Sequence, residues 1–135
     1  MRAFWAITAV VGASVLALAR WLSPDPSGFG THVQLGLPAC GFFRLTSLPC
    51  PACGMTTAFA YMARLQITAA FHAHVLGPPL FALTALAVPC CLVACVLGLP
   101  VAPTLQRLRV GPLMAMIGIA ALLVWMARIT AILLA

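Results

Sequence analysis

Three long apolar runs, residues 4–22, 80–99 and 113–134, set the limits on what this chain can become. At a rise of about 1.5 Å per residue, a helix of about 20 residues crosses a hydrocarbon core of about 30 Å. The rest of the composition agrees. Hydrophobic residues make up 64% of the chain and charged residues 6%, against roughly 25% charged in an ordinary soluble domain. A globular fold would have nothing with which to cover its surface. The chain therefore reads as an all-α integral membrane protein forming a single membrane domain over residues 1–135. Its spans are expected at about 4–22, 78–99 and 112–134, with a Cys/His segment at the membrane interface over about 31–76.

Charge removes several classes of function. Asp25 is the only acid, and all seven basic residues are arginine. One carboxylate excludes paired-carboxylate catalysis and a carboxylate-rich calcium or magnesium site. The arginines stand singly beside apolar runs and form no basic stripe with interleaved aromatics, so no nucleic-acid partner is expected. They suit membrane topology and headgroup anchoring, with the lipid bilayer and other membrane proteins as partners. What remains for chemistry is six Cys, three His, one Tyr and the hydroxyls.

Along the chain, residues 4–22 form the first span. A signal peptide is the rival reading, because Arg2 supplies a minimal basic start and Ala17-Leu18-Ala19 resembles a cleavage site. Ala13 and Ala17 offer a small-residue face to another helix. The turn-rich stretch Ser23-Pro24-Asp25-Pro26-Ser27-Gly28-Phe29-Gly30 stops this helix. Gly36, Pro38 and Gly41 then interrupt the chain too often for a span, which predicts an ordered interfacial loop. Beyond Gly54 two readings compete. As one helix over about 51–71, the chain makes a four-span bundle and places Arg64 deep in the bilayer, at roughly 2.5–3.5 kcal/mol. As two short helices hinged at Arg64 to Gln66, interfacial or re-entrant, it lets Arg64 snorkel and returns His72 and His74 to the side of Cys50 and Cys53. The second is preferred: three spans plus two short helices. Gly77-Pro78-Pro79 opens the next span, which Pro89 is expected to kink. Gly111-Pro112 starts the last, where Arg128 reads as snorkelling from the terminal turns, with a functional intramembrane charge as the alternative.

Positive-inside counting of the three-span arrangement balances Arg2, Arg107 and Arg109 against Arg20, Arg44 and Arg64. A basic N-terminus kept inside then places the cysteine loop outside, whereas the four-span arrangement puts it in the cytoplasm.

Cys50-Pro51-Ala52-Cys53 carries the strongest chemical signal. A Cys-x-x-Cys brings two sulfurs close enough to share a metal or close a disulfide, and a following helix start lowers thiol pKa. Zinc needs four ligands, which Cys40, Cys50, Cys53 and either His72 or His74 would supply. A disulfide and a packed turn of unreactive thiols fit the spacing as well. Cys90, Cys91 and Cys95 lie within a span and read as small core hydrophobes, and His32 sits in the loop without a further clue.

The stretch from Cys40 through Cys50-Pro51-Ala52-Cys53-Gly54-Met55-Thr56-Thr57 to Pro79 resembles a family of small, mostly bacterial inner-membrane proteins. That family carries a Cys-Pro-x-Cys-Gly-x-Thr-Arg motif and is a domain of unknown function. Cys40, Cys50, Pro51, Cys53, Gly54 and Thr56 fall on the pattern. Thr57 stands where the family usually has Arg, and Arg64 is a candidate substitute. The resemblance implies a multi-pass protein of the bacterial inner membrane and brings no activity with it.

Two functions follow from these residues. The first is a non-enzymatic membrane component or accessory subunit with a structural or sensing metal site at Cys40, Cys50, Cys53 and His72, zinc being the expected metal. The second is a membrane thiol-disulfide oxidoreductase that passes electrons between the Cys50/Cys53 pair and a quinone. The shortage of acids and bases argues against hydrolysis and group transfer.

Overall fold

The computed structural model describes residues 2–134. It is all-helical, in the order α1 (Arg2–Trp21), a 3₁₀ turn (Thr31–Leu35), α2 (Gly41–Thr46), α3 (Met55–Met62), α4 (Ile67–Ala73), α5 (Gly77–Leu97), α6 (Val101–Arg107) and α7 (Val110–Leu133). Among the described residues, only α1, α5 and α7 are long and apolar enough to cross a membrane. Each is nearly free of charge and bounded by turn residues, so its apolar length alone selects a helix in lipid, where every backbone polar group must be satisfied internally.

The spans α1 and α5 pack on each other along their length. Trp5, Ala9, Cys91 and Ala94 form the core of that contact, and the Trp5 indole donates to the Leu99 carbonyl at 2.9 Å. Gly12 continues the stripe: a Cβ there would lie 2.8 Å from Val88 Cγ2. The small-residue face therefore runs through Ala9 and Gly12. Ala13 and Ala17, expected at a helix contact, are exposed. At 100° per residue, one step in register is enough to turn them away from α5. Cys91 takes the core position expected of it, while Cys90 is exposed. Helix α5 continues through Pro89.

The four-span alternative does not hold. Helix α3 stops at Met62, where Leu65 N–H bonds to Met62 O and Gln66 N–H to Tyr61 O. That pairing is a Schellman stop with Leu65 in the left-handed region at φ 60°. The chain turns back into α4, and Ala58, Ala70 and Ala73 meet in a buried cluster. The resulting hairpin packs on α5 and α1. Phe59 stacks edge-on against Phe81, and Gly77 comes so close to Ala58 that a Cβ would run into it.

Arg64 is tied to the end of α1 and does not hang free. Its guanidinium donates to Ala60 O at 2.9 Å, Arg20 O at 3.1 Å and Ala19 O at 3.4 Å, capping the end of α1. The hairpin, the cysteine loop and the end of α1 thus lie at one end of the bundle. Arg2, beside Gly98, marks the other end with α6.

Candidate metal centre

The site is built on a turn. The Cys53 N–H bonds to Cys50 O at 3.0 Å, with Pro51 at the second turn position, where its fixed φ belongs. Gly54 follows at φ 94° and starts α3. It is wedged against the carbonyls of Ala73 and Gly28, where no side chain fits. A second pin lies behind the turn. Thr57 and Thr31, both fully buried, share a hydrogen bond of 2.8 Å, and Thr31 Oγ1 accepts from the Asp25 N–H. The lone carboxylate is used locally: Asp25 accepts from the Ser27 N–H and hydroxyl, which hold its pKa below the usual value.

Cys40 arrives from the far side of the 3₁₀ turn as the residue that opens α2. Phe43 on α2 packs against Phe29, and Phe42 against Trp125. These contacts fold α2 over the turn, and the sulfurs of Cys40, Cys50 and Cys53 come within 4.8 Å of one another. Three thiolates on one zinc, with Zn–S bonds of about 2.3 Å, lie about 3.8 Å apart, a contraction of about 1 Å at most. The three line a cavity of about 480 Å³ together with His32, Thr56 and Thr57.

The thiols are unequal. The Phe43 N–H, then Cys53, stabilise the Cys40 thiolate and lower its pKa. Burial, then the hydrogen bond with Cys50, pushes Cys53 up to about 12. A bound cation would have to displace that proton, so its affinity rises with pH.

Neither histidine of the 72–74 pair joins the sulfurs. His72 is exposed on α4, because Ala70 and Ala73 take the face toward α3 and position 72 is one residue, about 100°, off it. His74 follows the helix in an extended conformation and turns beneath the cysteine turn. Its Nδ1 accepts from the Leu76 N–H at 3.2 Å, so Nε2 carries the proton and donates to Pro51 O at 3.0 Å. Both nitrogens are engaged, which makes His74 a support for the turn's backbone. The neighbourhood of His32 to the thiols carried no signal in the sequence, since only the 3₁₀ turn places it there.

Burial lowers the His74 pKa, Pro51 partly offsets this, and the charge of Arg128 lowers it further. A neutral form favoured by folding contributes stability that is full above the unfolded pKa, about 6.5, and is lost as pH falls toward the folded value. Metal-free protein in detergent with reductant should therefore lose thermal stability between pH 7 and pH 5. His74→Ala should flatten that decline; an unchanged slope would show that His74 is not its source.

Two residues of α7 complete the site. Trp125 Nε1 donates to Pro49 O at 2.8 Å and Arg128 Nη1 to Cys53 O at 3.1 Å. Arg128 was expected to snorkel; the loop carbonyl holds it instead. Arg64, the candidate substitute for the family's arginine, is engaged at α1.

Residues 40–88 match the family described as Protein of unknown function (DUF2752). The match agrees with the resemblance to a family of unknown function. It begins at Cys40 and ends within α5, so it takes in all three thiols, the α3–α4 hairpin and His74. No curated protein and no solved structure matches the chain.

Proposed function

We propose that this chain is a non-enzymatic component of the bacterial inner membrane, accessory to other membrane proteins, in which Cys40, Cys50 and Cys53 hold one structural or sensing metal ion. The convergence of three sulfurs within 4.8 Å from two separate segments carries this reading. Zinc suits the donors, because soft thiolates with no carboxylate nearby select thiophilic ions over calcium, magnesium or manganese. His32, which lines the same cavity, or water would supply a fourth ligand, whereas His72 would have to swing in from its exposed position on α4.

The test is the metal content of protein purified in detergent without chelator, wild type beside Cys50→Ser/Cys53→Ser. About one zinc per wild-type chain and none in the double variant is expected. No metal in either would remove this reading.

One observation favours a second function. Cys40, whose thiolate is stabilised, stands beside two further thiols, as in a thiol oxidoreductase that forms a disulfide and passes two electrons and two protons to a quinone. Metal-free wild type with a reversible disulfide among these residues would support it.

A further inference from the structure

Arg128 lies five residues before the end of α7, within a helix long and apolar enough to span, and the chain has one acidic side chain. That side chain, Asp25, is bound to Ser27. The guanidinium instead reaches the carbonyl of Cys53, beside the three thiols. His74 supports the turn through Pro51 O, and burial lowers its pKa, while His32 lines the cavity beside the thiols. Three thiolates around a divalent cation sum to one negative charge, and Arg128 brings that sum to zero. A monovalent cation would leave one negative charge uncompensated beside the guanidinium.

The same two side chains hold α7. The helix has no buried residue and packs on α6. Trp125 and Arg128, on one face at i and i+3, grip the carbonyls of Pro49 and Cys53 on either side of Cys50. A metal that fixes the turn also fixes those carbonyls.

We propose that the ligand of the three-thiol site is a divalent thiophilic cation with Arg128 as its counter-charge, so that metal occupancy and the docking of α7 on the cysteine turn form one linked equilibrium. The proposal rests on the metal-site reading above. Arg128 is a positioning residue here, since it acts on the cation through charge and through the turn, without ligating it. Reciprocity requires that whatever factor docking adds to metal affinity, metal adds to docking.

The test uses the full chain in detergent and Zn²⁺ as probe, with affinity measured by competition against a chromophoric chelator. Arg128→Gln keeps a donor and loses the charge, and it should weaken zinc binding about 10- to 100-fold, the range for partners that support metal ligands. Arg128→Lys keeps the charge and should stay within about threefold of wild type. Zinc should also change tryptophan emission in wild type, a change absent from Trp125→Phe. Wild type that binds no zinc overturns the metal reading and this inference with it. Zinc bound equally well by wild type and Arg128→Gln overturns the inference alone, as does equal weakening by Gln and Lys. Should Arg128→Gln not fold, zinc binding to wild type with no change in Trp125 emission overturns the linkage.

Discussion

Gly54→Ala is expected to destabilise the protein by about 2–5 kcal/mol, combining a left-handed residue at about 1–2 kcal/mol with overpacking at about 1–3 kcal/mol. Gly54 sits at φ 94°, and its missing Cβ would run into the Ala73 carbonyl with the Gly28 carbonyl 3.0 Å away. Both obstacles are backbone, so no rotamer change relieves them. The alternative is for α3 to back away from the end of α4 and the 28–30 turn. That movement would carry Cys50 and Cys53 away from Cys40, so metal retention should fall together with the unfolding temperature. Thermal unfolding in micelles, followed by circular dichroism beside metal analysis, checks both. A variant as stable as wild type would show that the close approach at Gly54 is not present in the protein.

Arg64→Ala is the second large effect expected, a loss of about 2–4 kcal/mol from charge-assisted hydrogen bonds worth about 1.5–3 kcal/mol and a helix-dipole contribution of about 0.3–1 kcal/mol. The guanidinium caps Ala19 and Arg20 at the end of α1 while bonded to Ala60 of its own helix. One side chain thus ties the first span to the hairpin that carries the cysteines. Arg64→Lys should recover part of the loss, since a single ammonium cannot fork across three carbonyls. Chemical unfolding of the three proteins in one detergent measures this. Equal stability of Ala and Arg at position 64 would mean that water caps α1 as well as Arg64 does.

These two positions show how much of the site was legible beforehand. Gly54 was visible as part of a dense motif, and a glycine after Cys-Pro-x-Cys suggests a special backbone conformation. What it avoids, the carbonyls of residues 28 and 73, lies far along the chain. Arg64 weighed against a plain span, and the preferred hinge at Arg64 to Gln66 lies where the helices part. Its partners on α1 were not visible, because nothing in an apolar run marks which of its last carbonyls a distant arginine will reach. The histidines divide for a related reason. Local sequence treats His72 and His74 alike, and only the packing of Ala70 and Ala73 on α3 turns one outward and sends the other under Pro51.

By itself the sequence determined the class, the number of long helices and nearly where each begins and ends. Burial in lipid is additive along a helix, and turn chemistry is a property of adjacent residues. It also singled out Cys40, Cys50 and Cys53 as residues to watch. The tertiary structure alone decided that these three sulfurs meet, that His32 rather than His72 faces their cavity, and that Trp125 and Arg128 of α7 close over the turn. Those are contacts between segments tens of residues apart, set by the packing of helices whose apolar surfaces look alike in sequence. Hydropathy says that such surfaces are buried, and only their shapes in three dimensions say against what.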